Sequence, residues 1–185
     1  SLEILGNEYK LNEGIFNLTT KEKEDLKNET KELEFIKPLY TSKEVNRYYT
    51  LKNNENWVIY TDSSFKDKSK IEQFPNLQKH LDKFVSVITS DNKPYGIHRA
   101  RNEYFFKGEK ILALRKCVGK PLFSYADFDT YVNQAFYVIK SERINLKYIA
   151  EKYVKEDHVD EIENFIEYKY YKLKNYDKNN SSNKW

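Results

Sequence analysis

Asn56-Trp57-Val58-Ile59-Tyr60-Thr61 is an aromatic and β-branched run with polar residues at both ends, and it reads as a strand. Downstream, Pro75 stands at a first helical position, and Leu77, Leu81, Phe84 and Ile88 recur at spacings of 4, 3 and 4. That is one face of an amphipathic helix over 75–88. Outward from this pair, Gly14 to Leu18, Phe35 to Tyr40, Lys110 to Leu114, Pro121 to Tyr125 and Gln134 to Ile139 read as extended segments. Thr19-x-x-Glu22 and Thr41-x-x-Glu44 are capping-box signatures. The first opens a helix over about 20–28, the second a short helical turn ending near Arg47-Tyr48-Tyr49. From about Ile149 a 3–4 period sets in through Val159, Ile162, Phe165, Ile166, Tyr170 and Leu173. Strands and helices interleave without a regular βαβ rhythm. The expected class is α+β, with a mixed, mainly antiparallel sheet, flanking helices and a C-terminal amphipathic helix.

The 185 residues are 39% hydrophobic and 33% charged, a polar balance for a folded chain. An aromatic content of 16% compensates, because each ring brings a large burial area and few rotamers. No apolar run nears the roughly 18 residues of a transmembrane helix, and no secretory signal is visible. One cysteine, Cys117, excludes an internal disulfide and a multi-cysteine zinc site, and it suits a reducing cytoplasm. The chain starts at Ser1 and holds no Met, so it reads as a processed or excised piece of something longer.

The net charge of +3 says little, but its distribution says more. Residues 93–120 carry Lys93, Arg99, Arg101, Lys107, Lys110, Arg115, Lys116 and Lys120 against Glu103 and Glu109, a net of +6. Residues 151–177 carry a net of −3. A polyanionic partner would meet the middle of the chain.

Catalytic patterns are sparse. The glycine-rich turn and the Asn-Pro-Pro-Tyr motif of an amino-methyltransferase are both missing, as is a phosphate-binding loop. His80, His98 and His158 have no ligand spacing among themselves, and His80 and His158 read as structural or solvated. Glu8-Tyr9-Lys10 and Glu29-Thr30-Lys31 match the last part of a metal-nuclease pattern, as chance allows in a chain this rich in Glu and Lys. Cys117, beside Arg115 and Lys116, reads as a half-buried residue at a strand end.

The one dense constellation is Tyr95-Gly96-Ile97-His98-Arg99-Ala100-Arg101-Asn102. In an extended run Arg99 and Arg101 would project from one side, His98 and Asn102 from the other. Arginine reads guanine bidentately, and asparagine reads adenine the same way. His98, Arg99, Arg101 and Asn102 are therefore the candidate base readers. Lys110, Arg115, Lys116 and Arg47, the last beside Tyr48 and Tyr49, are the candidate phosphate contacts. Tyr95 and Tyr125 are expected to support the loop or to stack on a displaced base. The competing reading pairs Arg99 or Arg101 with Glu103 or Glu109 and leaves the tyrosines to the core.

Several segments in fixed order resemble a known family. They are Gly14 to Thr19, Phe35 to Tyr40 with Arg47-Tyr48-Tyr49, Trp57 to Asp62, Pro75 to Leu81, His98 to Asn102 with Phe106 to Ile111, and Phe136 to Ile139. The succession resembles the TaqI-like C-terminal specificity domain, the target recognition domain of Type II DNA adenine-N6 methyltransferases, including fused restriction-and-modification enzymes. The resemblance covers roughly 1–148, leaving 149–175 as a C-terminal helical segment and 176–185 as a polar tail. It implies a module that reads double-stranded DNA and is not itself catalytic. The implied partner is an N-terminal methyltransferase domain that holds S-adenosylmethionine and flips the adenine, in a bacterial cytoplasm. The chain departs from the family after Ile149, with Ala150-Glu151-Lys152-Tyr153 where a Leu-Asn-Ser-Lys-Leu type of helix start is usual. Two other readings stand beside this one: a metal-dependent nuclease fragment, and a protein–protein interaction module of a restriction–modification complex that docks through the acidic stretch 151–174.

Overall fold

The computed structural model describes residues 13–26, 30–117, 119 and 121–157. In chain order the elements are β1 (Asn17–Thr19), α1 (Thr20–Asp25), α2 (Thr30–Leu33), β2 (Ile36–Tyr40), β3 (Tyr48–Tyr49), β4 (Asn56–Ile59), α3 (Lys68–Ile71), α4 (Pro75–Asp82), β5 (Lys110–Leu114), β6 (Phe123–Ala126), β7 (Tyr131–Val132), β8 (Phe136–Ile139) and α5 (Leu146–Asp157). Short 3-10 turns cover Ser63–Lys66 and Glu103–Phe105. The class is α+β, and among the described residues the strands form two four-stranded, mainly antiparallel sheets. They belong to two compact units. One draws on residues within 13–40, 53–104 and 130–133, the other on 41–52, 105–129 and 134–157. The stretch 1–148 thus holds two units, and the second also takes in the start of the C-terminal helical segment. Residues 158–175 of that segment and the tail 176–185 lie outside the described residues.

In the first unit the sheet runs β1-β4-β2-β7. β4 is central, antiparallel to β1 with Asn17 opposite Val58, and to β2 with Ile36 opposite Ile59. The two-residue β7 adds parallel to β2. Leu18, Ile36 and Ile59 face a core completed by Phe65, Ile71, Leu77, Leu81 and Tyr95. The Thr19 capping box forms: its hydroxyl accepts from the Glu22 N–H at 3.2 Å, and its own N–H donates to the Glu22 carboxylate at 2.8 Å. α1 nevertheless stops at Asp25.

α4 carries the expected stripe but is shorter than the spacing predicts. The helix ends at Asp82, and the Phe84 N–H bonds back only three residues, to the Leu81 carbonyl at 2.9 Å. Phe84 and Ile88 are still buried, so the periodicity marks the core face correctly and the helix length wrongly. The helix has no side-chain cap of its own. Glu32, fully buried on α2, supplies it from a distance: its carboxylate accepts from the Asn76 N–H at 2.7 Å, the Leu77 N–H at 3.2 Å and the Asn76 side-chain amide at 2.7 Å. A buried carboxylate at a helix N-terminus is stabilised by those donors and by the helix dipole.

In the second unit the sheet runs β3-β6-β5-β8. β5 is antiparallel to β6, with Lys110 opposite Ala126, and to β8, with Leu112 opposite Val138. β3 lies parallel to β6, and the buried Thr50 and Ser124 hydroxyls bond at 2.7 Å beside that pairing. Ile111, Tyr125, Leu146 and Ala150 form the core of the unit, which seats α5 on the sheet. The Thr41–Glu44 capping contacts form as well, with the Thr41 N–H donating to Glu44 at 2.7 Å, but a turn follows and not a helix. Tyr48, at φ 73°, takes the chain out of helical space and into β3.

Glu32→Ala leaves the first turn of α4 with unmet donors and is expected to lower unfolding stability by about 2 kcal/mol. The same change at the exposed Glu34 is expected to stay within about 0.5 kcal/mol in the same urea titration.

Candidate nucleic-acid interface

The loop from Asp91 to Glu103 belongs to the first unit, and its backbone is held at successive points. At its entry the Asn92 side-chain amide donates to the Ile97 carbonyl at 2.8 Å, and the Ile97 N–H donates to the Thr61 carbonyl at 2.8 Å. The Thr61 hydroxyl donates to the Tyr95 carbonyl at 2.6 Å. Gly96 is required here, since a Cβ would lie 2.6 Å from both the Asn92 Cβ and the Asp62 carbonyl oxygen. The buried Tyr95 donates its hydroxyl to Asp82 at 2.6 Å, and burial together with that carboxylate pushes its phenol up to about 12. Tyr95 is thus a core residue beneath the loop, with no ring face available for stacking on a base.

At the apex, Asp91 accepts from the Arg99 N–H at 3.1 Å and faces His98 Nδ1 at 3.2 Å. The Arg99 N–H holds the Asp91 carboxyl below its ordinary range. Arg99 has φ 50°, a left-handed conformation that costs a side-chain-bearing residue roughly 1–3 kcal/mol. The run is therefore turned at Arg99, and the alternation expected of an extended segment does not apply. At the exit, the Tyr60 hydroxyl donates to the Arg101 carbonyl and accepts from the Arg101 N–H, both at 2.7 Å. Burial raises the Tyr60 phenol above its ordinary value, so the hydroxyl keeps the proton this double role needs. Asn102 accepts from the Tyr104 N–H at 2.9 Å and so caps the turn at 103–105. Its amide oxygen is engaged, and the bidentate adenine contact would have to share it.

The side chains of Arg99 and Arg101 are exposed, and neither guanidinium has a hydrogen-bond or ion-pair partner among the described residues. The carboxylates expected to pair with them are taken elsewhere. Glu103 accepts from the Tyr131 hydroxyl and pairs with Lys37 at 3.6 Å, and Glu109 accepts from the Tyr125 hydroxyl at 2.7 Å. His98 is exposed over 56% of its side chain.

The remaining candidates belong to the second unit and are described within it. Lys110 does not fit a phosphate contact. It is fully buried, and its Nζ donates to the Gly108 and Phe128 carbonyls at 2.6 Å each. Burial and the neighbouring Lys140 lower its pKa to about 8. β5 is buried at each of its first four residues, Lys110 included, and the ammonium is spent on the Gly108 and Phe128 carbonyls. Tyr125 does not fit a stacking role either, being buried in the core of that unit with its hydroxyl on Glu109. Arg47 donates to the Pro121 carbonyl at 3.1 Å and lies 5.8 Å from the Tyr48 ring centroid. Arg115 is exposed, donates to the Gln134 carbonyl at 3.0 Å and stacks 5.3 Å from the Tyr137 centroid. Lys116 is exposed and has no partner among the described residues. Cys117 is half-buried, its thiol donating weakly to the Leu114 carbonyl at 3.3 Å.

The other catalytic candidates gain no support. His80 is buried, bonded to the Ile15 carbonyl at 2.9 Å and set edge-on to Phe84, and burial lowers its pKa. Glu8, Lys10, Glu29 and His158 lie outside the described residues. Among the described residues no three His, Cys, Asp or Glu side chains gather, and no helix is long and apolar enough to cross a membrane. The sequence reading missed Tyr60 and Asp91. Tyr60 looked like any aromatic strand residue, because its partner lies 41 positions away. Asp91 had a signal, as the acid that opens the turn-forming run Asp91-Asn92-Lys93-Pro94-Tyr95-Gly96.

No family model matches the chain, and no curated protein matches it. Among solved structures it is similar to the Type IIL restriction-modification enzyme MmeI in complex with DNA, at a TM-score of 0.48 and 17% identity. The match covers 69% of this chain, which spans only 18% of that enzyme's length.

Lys110 gives a pH signature. Its proton leaves near pH 8 in the folded chain and near 10.5 in the unfolded one. Between those values the unfolded chain binds more protons, so this group makes stability rise with pH, by at most about 1.4 kcal/mol per unit. Denaturant titrations from pH 7 to 9.5 are expected to show that rise in the wild type relative to Lys110→Met. Parallel curves would rule out a depressed pKa at Lys110.

Proposed function

We propose that this chain reads double-stranded DNA through the loop 97–102, as the specificity domain of a restriction–modification adenine-N6 methyltransferase. The observation that carries the reading is the pair of exposed, unpartnered guanidiniums on a backbone held by Asp91 and Tyr60. A guanidinium presents a planar fork that matches the O6 and N7 acceptors of guanine in the major groove. Two of them, separated by one residue and pre-positioned, lose little entropy on entering a groove. His98 and the Asn102 amide add donors on the same loop. Arg47, Arg115 and Lys116, in the second unit, are the cations left for phosphate once Lys110 is removed from the set.

The ordered resemblance to the TaqI-like specificity domain assigns base flipping and methyl transfer to a separate catalytic part. S-adenosylmethionine has no cradle among the described residues: Gly14 precedes β1, Gly96 and Gly108 lie in loops, and Gly119 joins two strands. None closes a strand-to-helix turn of the kind that cradles such a cofactor.

Selection of bound duplexes from a randomised pool tests the reading. The wild-type chain is expected to enrich a defined sequence. Arg101→Ala is expected to relax one base pair by roughly 1–3 kcal/mol while other positions hold. Equal loss on all sequences would reject a reading role. Lys116→Ala is expected to weaken all duplexes alike and to flatten the salt dependence by about one phosphate contact.

A further inference from the structure

Asp91 Oδ1 lies 3.2 Å from His98 Nδ1 and accepts from the Arg99 N–H at 3.1 Å. The turn that carries this carboxylate is tied down: the Asn92 N–H donates to the Ser90 hydroxyl at 3.0 Å, and the Gly96 N–H to the Asn92 carbonyl at 2.9 Å. The Arg99 N–H holds the carboxyl in its ionised form, with help from His98 and from Lys66 on the turn over Ser63–Lys66. Asp91, Arg99 and Lys66 are thus the charged groups gathered about the ring. A carboxylate oxygen at 3.2 Å attracts a proton and repels a lone pair, so a neutral ring carries its single proton on Nδ1. Nε2 then holds a lone pair and points away from Asp91. It has no hydrogen bond among the described residues, and the side chain is 56% exposed.

We propose that His98 reads an exocyclic amino group, cytosine N4 or adenine N6, through the lone pair of its neutral ring, and gives that contact up when protonated. The inference rests on the reading of the loop 97–102 as the DNA-reading element and names the chemistry of one contact within it. In the major groove those two amino groups are the only hydrogen-bond donors. A lone pair on Nε2 is satisfied by them and by no group of guanine or thymine there. The guanidiniums of Arg99 and Arg101 carry donors alone and cannot select an amino group. The Asn102 amide oxygen is taken by the Tyr104 N–H. His98 therefore supplies the acceptor that the loop otherwise lacks. The donor that His98 brings to the loop belongs to its charged form, in which both nitrogens donate and neither accepts.

The test uses the full chain and a duplex enriched by it from a randomised pool at about pH 8.5, where imidazoles are neutral. Each cytosine is replaced singly by 2-pyrimidinone, which lacks the N4 amino group, and each adenine by purine, which lacks N6. At one position the wild type is expected to lose about tenfold in affinity, and His98→Ala to be indifferent to the replacement there. At about pH 5.5 the wild-type penalty is expected to fall to about twofold, a change that a merely structural His98 would not produce. The ratio of two duplexes cancels the general gain in cationic attraction at low pH. Penalties equal in the wild type and His98→Ala at every position overturn the proposal and leave the guanidinium contacts standing. So does a His98-dependent penalty that does not fall at pH 5.5. A chain that enriches no sequence overturns the proposal together with the reading on which it rests.

Discussion

One phenol oxygen meets both backbone polar groups of Arg101, and the candidate reading loop depends on that contact. Tyr60 stands just past β4, the strand that the sequence announces most clearly, and its hydroxyl holds the Arg101 N–H and carbonyl together at 2.7 Å. The Tyr60 ring in turn packs edge-on against Tyr131 at 5.2 Å. Asp91 performs the matching task at Arg99, which it holds in a left-handed conformation. The loop therefore spends backbone polar groups and carboxylates on position and leaves its guanidiniums unspent. A binding loop built this way carries much of its ordering cost before any partner arrives.

The contrast with Lys110 shows why a count of cations is a poor guide to a polyanion surface. Arg99, Arg101 and Lys110 sit in one basic stretch of sequence. Two are exposed without partners, and the third is buried with both neighbouring carbonyls on its ammonium. Burial decides between them. Lys110 opens β5, a strand buried over its first four residues, whereas Arg99 and Arg101 lie in an exposed loop.

Most of the fold was legible because it rests on local patterns. The β5 strand was read to its ends, and the stripe Leu77, Leu81, Phe84 and Ile88 of α4 and its tail is buried. The misses come from contacts distant in sequence. β3 and β7 are two-residue strands that exist through parallel pairing with β6 and β2, and a pattern that short leaves no period to read. Glu32 carries no local signal in the sequence and is the cap of a helix 44 residues away. At the site, the loop and its charge were visible in the sequence. What held it was not, since Tyr60 and Asp91 act through spatial contacts, and Lys110 and Tyr125 changed role through burial that no spacing announced.

A guanidinium of this loop that lies on a guanine edge must couple one side chain to one atom of the DNA. Guanines of the selected duplex are replaced singly by 7-deazaguanine, which removes only the N7 acceptor, and binding is measured for the wild type, Arg99→Ala and Arg101→Ala. At one position the replacement is expected to weaken the wild type by about tenfold and to leave one of the two variants unaffected. Penalties that are the same in all three proteins at every guanine would contradict that coupling.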